Sequence, residues 1–225
     1  MIYNDKPSFF GFLVSLIFPV RCFCCDDLID YGDYVCDRCR EEIEKCRNRR
    51  TKVVSFYGRR YNIHSVFEYT SSAESAVKLV KFSFNPDNAK PMGDEIAAKV
   101  SRLRERDFDI VTAVPFTKKD KLEREYNHAV LMAIRVSKRL SVPFDEKAIE
   151  KIRQTKRQHD LSGLERRTNL RDAFYANQIV KGKHVLIIDD VATTGSTLCE
   201  CADTLYRAGA KKVTCATFAA TKYSN

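Results

Sequence analysis

The sequence predicts an α/β protein in which helices flank a parallel sheet and a small cysteine-rich module precedes the sheet. After residue 50, apolar segments typical of strands alternate with segments of helical periodicity. Residues 184–188 are continuously apolar, which is typical of a central parallel strand buried on both faces. Six of the nine cysteines lie between Cys22 and Cys46. The sequence therefore predicts two domains, a module in residues 1–50 and an α/β domain in residues 51–225.

The strands and helices of the larger domain follow from its apolar periodicity. The sequence predicts strands at residues 53–57, 66–69, 108–114, 184–188 and 212–220, and helices at residues 73–84, 93–106, 122–140 and 196–208. Pro115 ends the third of these strands, and Gly209 is suited to the C-terminal cap of the last helix. In a sheet of this kind, ligands are expected at the carboxyl ends of the strands.

Composition and charge narrow the class of partner. The chain has 225 residues, of which 44% are hydrophobic, and this excludes a disordered protein. The formal charge of +9 indicates an anionic partner, which can be a nucleic acid, a phosphorylated metabolite or a membrane surface. Residues 117–171 carry fifteen basic and eight acidic side chains, so the second half of the chain is the most positive.

The apolar run at residues 9–20 is the one segment that resembles a targeting signal. Only Lys6 precedes it as a basic side chain, and it is too short to span a bilayer as a helix. We expect a short helix packed on the body of the protein, no membrane span, and a cytoplasmic location. The nearby aromatic side chains are expected to pack between module and body rather than to stack on nucleic-acid bases. They are Phe9, Phe10, Phe12, Phe18 and Phe23.

Two Cys-x-x-Cys pairs in the module predict a structural Zn²⁺ site. The pairs are Cys22 with Cys25 and Cys36 with Cys39, separated by ten residues. Four thiolates complete a closed tetrahedral site without a position for catalytic water. Cys24 is an alternative to Cys25, Cys46 is unassigned, and a disulfide framework is the rival interpretation. The other cysteines, in residues 199–215, are expected to be small buried side chains.

Residues 185–197 carry the strongest chemical signal in the chain. Four apolar residues lead to Asp189 and Asp190, and small or hydroxylated residues then lead into a helix. The turn and the helix N-terminus suit a phosphate. Two carboxylates beside a phosphate suit the hydroxyls of a ribose with Mg²⁺ nearby, so a ribose 5-phosphate is the predicted ligand. A Walker loop and a GxGxxG dinucleotide fingerprint are both absent from the sequence.

This segment resembles the motif of type I phosphoribosyltransferases that binds 5-phosphoribosyl 1-pyrophosphate (PRPP). More of the chain is similar to the ComF family of competence-associated proteins within that superfamily. The similar blocks are the cysteine module, residues 114–116, 124–129 and 153–158, Arg167, Asn169, Ala173 and Phe174. Within residues 124–129, Glu125 and His128 depart from the family's usual Arg-Gly-Phe-Asn-Gln block.

The resemblance implies a role for each matching residue. Asp189 and Asp190 would be catalytic residues that hold the ribose hydroxyls. The PRPP-binding residues would be Val191, Ala192, Thr193, Thr194, Gly195, Ser196, Thr197, Pro115 and Phe116, of which the last two lie near the pyrophosphate. The role of Lys81 is open. Apart from the resemblance, Arg124, Arg153, Lys156, Arg157 and Arg167 could supply cations to the leaving group, and a solvated basic face is the alternative interpretation. No histidine is expected to act as a base.

Three functions are compatible with this sequence. The first is an enzyme that transfers a phosphoribosyl group from PRPP with Mg²⁺. The second, which the ComF resemblance implies, is a factor for DNA uptake in natural transformation that binds single-stranded DNA and the uptake machinery. The third is a PRPP sensor without turnover. The sequence identifies neither the acceptor nor the oligomeric state.

Overall fold

The computed structural model describes residues 9–82, 86–116, 126–153 and 172–222. The helices in these ranges are α1 (Phe9–Ile17), α2 (Asp37–Lys45), α3 (Ser71–Phe82), α4 (Ala89–Val100), α5 (His128–Leu140) and α6 (Ser196–Arg207). The strands are β1 (Lys52–Phe56), β2 (Arg59–Glu68), β3 (Ile110–Ala113), β4 (Ile149–Lys151), β5 (Phe174–Ala176), β6 (His184–Ala192) and β7 (Lys212–Ala220).

The main sheet has the strand order β1-β2-β7-β6-β3. Strands β2, β7, β6 and β3 pair in parallel, and β1 pairs antiparallel with β2 at the edge. Strands β4 and β5 form a separate two-stranded sheet. The predicted α/β fold with a parallel sheet is therefore confirmed.

Helices cover both faces of the main sheet because the side chains of β6 alternate between them. Leu186 and Ile188 join a hydrophobic cluster with helices α3, α4 and α5. Val185 and Ile187 join a second cluster with α6 and the small sheet. This alternation, with residues 184–188 all buried, is what a central strand requires.

The cysteine module packs on the body of the protein through Phe23, but α1 does not. The Phe23 ring is 2% exposed and lies edge-on to Phe218 of β7, with the ring centroids 6.3 Å apart. By contrast, Phe9, Ile17 and Phe18 are each more than 70% exposed. The described α1 side chains belong to neither hydrophobic cluster, so the predicted packing of this helix, of Phe9 and of Phe18 on the body is wrong. Phe12 is 47% exposed and lies edge-on to Tyr31 of the module, with the ring centroids 6.1 Å apart. An apolar sequence favours burial without specifying which surface provides it. The side chain of Phe10 lies outside the described set.

No helix within the described ranges has both the length and the apolar character needed to cross a membrane. Helix α1, the most apolar of them, has only 9 residues.

Several element boundaries differ from the sequence predictions, and two of the differences have identifiable reasons. Strand β2 begins at Arg59 rather than at residue 66, because Tyr57 and Gly58 both adopt positive φ and close a tight hairpin with β1. Helix α4 begins at Ala89 rather than at Gly93, since Pro91 is tolerated in a first helical turn. The predicted helix at residues 122–140 is observed from His128 onward, and residues 122–125 lie outside the described ranges.

Gly93 lies where helices α4 and α5 pack closely against each other. A β-carbon at this position would lie 2.7 Å from Arg135 Cβ and 2.9 Å from the Met132 carbonyl oxygen of α5. The glycine that sequence periodicity placed at a helix start is therefore an interior packing residue.

Candidate active site

Strand β6 delivers Asp189 and Asp190 to the carboxyl end of the sheet. The backbone N–H of Asp190 donates to Asp189 Oδ1 at 2.9 Å, and the N–H of Val191 donates to Asp190 Oδ1 at 2.6 Å. Each carboxylate is thus oriented by the amide that follows it. The second oxygen of each group is directed away from this bond and can accept from a ligand or from another side chain.

Lys81 at the end of α3 provides the cation for this acidic pair. Its Nζ atom lies 2.8 Å from Asp190 Oδ2, and the two side chains are 28% and 15% exposed. Burial lowers the pKa of Lys81, but the charge and the hydrogen bond of Asp190 outweigh it, and the net pKa is raised. Lys81 therefore stays protonated at neutral pH, and its contact with Asp190 gives it a place in the site.

Burial perturbs the pKa of Asp189. The surrounding protein removes water from its carboxylate, and the charge of Asp190 adds to this, so the pKa of Asp189 is raised well above its usual value. One ammonium group faces two carboxylates. Hydroxyl groups of a ligand that donate hydrogen bonds to these oxygens would relieve the imbalance.

The loop after β6 forms a small cradle that ends at the N-terminus of α6. Residues 191–198 and Asp189 line a cavity of about 40 Å³. The Thr194 hydroxyl lies 3.0 Å from the Ser196 hydroxyl and accepts the Ser196 N–H at 3.3 Å. Hydroxyls and amide groups at a helix N-terminus are suitable donors for a phosphate. The residues predicted to grip a phosphate are thus brought together in one cradle.

Gly195 is required by the shape of this cradle. Its φ is +80°, and a β-carbon built on it would lie 2.7 Å from Ile63 Cδ1 and 3.0 Å from Val54 Cγ2. Strands β1 and β2 therefore support the loop from beneath. A larger residue would be strained both in its backbone and against these side chains.

Lys52 supports the same loop, a role that no motif in the sequence indicates. Its side chain, from a residue only 6% exposed, donates to the carbonyl oxygens of Thr193 and of Thr221, the latter at 3.2 Å. The Thr221 hydroxyl in turn donates to the Thr193 carbonyl at 2.8 Å. Burial lowers the pKa of Lys52. The ammonium group ties β1, the loop after β6 and the end of β7 together.

Pro115 and Phe116 lie at the same edge of the sheet as the two acids. The Val114 N–H donates to the Ile188 carbonyl at 2.9 Å, which places the segment after β3 beside the end of β6. Asn127 fixes that segment through a hydrogen bond of 3.2 Å to the Val114 carbonyl and also caps α5.

Of the predicted cations, Arg153 follows β4. The others, Arg124, Lys156, Arg157 and Arg167, lie outside the described residues, as do Glu125 and His159.

The four cysteines predicted as metal ligands lie together in the module. The Sγ atoms of Cys22, Cys25, Cys36 and Cys39 all lie within 4.8 Å of one another. Cys25 and Cys36 have their Sγ atoms 3.8 Å apart. A tetrahedron with Zn–S bonds of about 2.3 Å has edges of about 3.8 Å, so the donor set fits a tetrahedral metal ion. The cluster can bind a metal such as zinc.

The remaining module cysteines have other environments. Cys24 is buried, and its hydrogen bond with Cys22 and its burial raise the pKa of its thiol. Cys46 lies 3.5 Å from the carbonyl oxygens of Glu42 and Thr70. None of the nine cysteines forms a disulfide bond, and Cys199, Cys201 and Cys215 are buried as expected. The disulfide framework is not formed.

Comparison with known proteins defines the class to which this fold and site belong. Residues 126–224 match the family model of the phosphoribosyl transferase domain. This part of the chain is therefore a domain of the phosphoribosyltransferase type. The chain is 33% identical over 153 residues to the DNA utilization protein YhgH of Escherichia coli O157:H7, covering 66% of this chain and 67% of that protein. It is 31% identical over 108 residues to Competence protein F of Haemophilus influenzae, covering 47% of each.

The chain belongs to the ComF family of competence-associated proteins within the phosphoribosyltransferase superfamily. Solved structures similar to it include the allosteric regulatory enzyme of purine biosynthesis, with 20% identity and a TM-score of 0.43 over 63% of this chain and 30% of that one.

Proposed function

We propose that the chain binds PRPP at the carboxyl end of β6 and transfers its phosphoribosyl group. The observation that carries this proposal is the arrangement of Asp189, Asp190 and Lys81 beside the cradle of residues 191–197. The carboxylates would accept hydrogen bonds from the ribose hydroxyls, and the cradle would bind the 5-phosphate. The ligand then spans the acids and the helix N-terminus as one ribose 5-phosphate unit.

The chemistry assigned to the site is displacement of pyrophosphate from the ribose. The ribosyl group gains positive charge while the pyrophosphate gains negative charge, so fixed groups of opposite sign lower the barrier. Asp189 and Asp190 hold the sugar in position, and Lys81 forms an ion pair with Asp190 and interacts electrostatically with Asp189. The carboxylate oxygens also suit Mg²⁺, which would supply neutralisation of the pyrophosphate charge. Pro115 and Phe116 are proposed to lie beside that leaving group.

The decisive experiment measures PRPP binding in the presence of Mg²⁺ by calorimetry. The double variant Asp189→Asn with Asp190→Asn removes two charge-assisted hydrogen-bond acceptors, each contributing about 1.5–3 kcal/mol. We expect PRPP to bind at least about 100-fold more weakly to this variant. The control is Glu41→Gln with Glu150→Gln, which removes two exposed carboxylates elsewhere and leaves affinity unchanged.

The result separates an enzyme from a sensor and tests the site itself. Equal PRPP affinity in the wild-type protein and the aspartate variant, with both folded by thermal melting, would contradict the proposed site. Release of pyrophosphate on addition of a nucleobase or amine acceptor would establish transfer. Tight PRPP binding without release across such acceptors would leave the sensing role.

We further propose a role in DNA uptake, with single-stranded DNA and the uptake machinery as partners. The names of the relatives, DNA utilization protein and Competence protein F, support this role, as does the charge of +9. Affinity for a single-stranded oligonucleotide would fall linearly with salt on logarithmic axes. If no binding is measured at low salt, direct binding of single-stranded DNA is contradicted, and PRPP binding is the function that stays proposed.

We also propose that the four-cysteine cluster holds a structural Zn²⁺ and that residues 1–50 act as a metal-folded module on the domain of residues 51–225. The geometry of the Sγ atoms supports zinc, since a closed four-sulfur set is typical of structural sites. We propose a cytoplasmic location as well, and the absence of disulfide bonds among the nine cysteines agrees with a reducing compartment.

A further inference from the structure

Another polar cavity lies at the amino-terminal ends of the parallel strands, whereas the proposed PRPP site lies at their carboxyl ends. It has a volume of about 320 Å³, within the range of small-ligand pockets. Its walls are the amino-terminal halves of β2 and β7, the turn that follows α4, and Tyr206 of α6. Lys212 begins β7 here, whereas Ala220 at the other end of β7 pairs with Ala192 of the cradle in residues 191–197. At about 3.3 Å per residue the two regions are about 26 Å apart.

The polar lining of this cavity is mainly cationic. We call it the basic cavity and define it by Arg60, Asn62, His64, Arg104, Lys212 and Thr214. Glu105 also lines it and forms an ion pair with Lys212. Three cations thus face one carboxylate, which leaves an excess of two positive charges.

Arg60 and Arg104 are the cations available to a ligand. Both are exposed, and neither has a carboxylate partner within 4.0 Å among residues 9–82, 86–116, 126–153 and 172–222. Arginine binds phosphate oxygens through a planar fork of N–H donors. Asn62 and Thr214 add neutral polar groups from neighbouring strands. Thr214 is held in place by its hydroxyl, which lies 2.8 Å from His184 Nε2.

His64 lines the same cavity and lies within reach of its cations. Burial lowers the pKa of its imidazole, and the charges of Lys99 and Lys212 lower it further. Its Nδ1 atom lies 3.5 Å from the Thr51 hydroxyl. A bound anion would offset the repulsion of these cations.

We propose that the basic cavity is a second ligand site that binds the phosphate group of a phosphate ester. Arg60 and Arg104 bind the phosphate oxygens, and Asn62, His64 and Thr214 line the space that the rest of the ligand enters. The phosphate belongs either to a free nucleotide or to the backbone of a nucleic acid. This site is separate from the proposed PRPP site, and its occupancy does not require Asp189 or Asp190.

The test follows the NMR signals of the His64 imidazole, which is one of four histidines in the chain. Its resonances are assigned with the variant His64→Gln. AMP is titrated into the full-length protein, and the single-stranded oligonucleotide (dT)10 into a second sample. We expect saturable displacement of the His64 signals in the wild-type protein and in the variant Asp189→Asn with Asp190→Asn.

Three variants make this measurement specific. Arg60→Ala with Arg104→Ala removes the phosphate ligands and should weaken the binding at least about tenfold. Asn62→Trp fills the cavity without changing its charge and should block binding as well. Lys45→Ala with Lys138→Ala removes two exposed charges elsewhere and should have no effect. Thermal melting verifies that each variant is folded.

The two probes identify the source of the phosphate. A shift of the His64 signals on addition of AMP that depends on Arg60 and Arg104 supports a free nucleotide. A shift on addition of (dT)10 alone, with the same dependence on the two arginines, supports a nucleic-acid backbone. The proposal is overturned if neither probe moves the His64 signals at millimolar concentration. It is also overturned if the arginine variant and the lysine control bind equally. Loss of PRPP binding in the aspartate variant bears only on the first site.

Discussion

Replacing Lys81 by Met tests how the acidic pair at the end of β6 is held in the folded chain. The Lys81 Nζ atom lies 2.8 Å from Asp190 Oδ2, with the lysine side chain 28% exposed and the aspartate 15% exposed. Coulomb attraction at this distance is about 6 kcal/mol at an effective dielectric constant of about 20. Desolvation of both groups offsets part of it, and hydrogen bonds to charged groups contribute about 1.5–3 kcal/mol net. We expect the free energy of unfolding at pH 8 to fall by about 2–3 kcal/mol.

The pH dependence of that loss identifies its cause. Lys81 partly offsets the repulsion between Asp189 and Asp190. Without it, the pKa of the Asp189 carboxyl in the folded state rises further above its unfolded value of about 4. The native state then binds more protons than the unfolded state in the window above pH 4, so stability falls as pH rises through it. The destabilisation by Lys81→Met should therefore be smaller at pH 5 than at pH 8.

The assay is urea unfolding of the wild-type protein and of Lys81→Met at both pH values. Lys78→Met is the matched control, because Lys78 lies on the same helix and forms an ion pair of 2.7 Å with Glu74 at the surface. Such an exposed pair is screened by solvent, so only a small change is expected at either pH. Equal losses for the two variants, or a loss for Lys81→Met that does not depend on pH, would refute the reasoning.

Two further changes test the cradle and the module. Gly195→Ala should cost about 3 kcal/mol in unfolding free energy and abolish PRPP binding, because it combines a positive φ with a 2.7 Å contact to Ile63. Gly58→Ala, at φ +76° with no atom near the new β-carbon, should cost only about 1 kcal/mol and leave calorimetric PRPP binding intact. Metal analysis should find one zinc per chain, lost in Cys39→Ser and retained in Cys24→Ser. Chelation should lower the melting temperature by about 10 °C or more, and an unchanged melting curve after complete metal removal would contradict a structural role.

Local signals account for what the sequence predicted of the fold and of the metal cluster. The apolar run before Asp189 identifies β6, because burial on both faces leaves few alternatives to a central strand. The spacing of Cys22 with Cys25 places two sulfur atoms at one point by short-range geometry, and the cluster is observed. The assignment of ligand contacts to Asp189, Asp190 and residues 191–197 stays a prediction.

What the sequence could not predict depends on contacts between distant residues. Lys81 and Asp190 are more than a hundred residues apart, and Lys52 and Thr193 are separated by 141, so no periodicity or motif marks either pair. The hairpin that begins β2 was missed because Tyr57 with Gly58 lacks the Asn-Gly or Asp-Gly signature of such turns. The exposure of α1 shows the same limit, since hydrophobicity does not name a partner surface.

The contacts of Lys52 affect how truncations of this family can be interpreted. A truncation that removes the cysteine module and begins the chain after residue 52 would also delete the Lys52 ammonium group, which joins Thr193 to Thr221. A defect in such a shortened protein would then be attributed to zinc although a lysine had been lost. Module deletions that preserve residue 52, compared with point changes at the cysteines, keep these two effects separate.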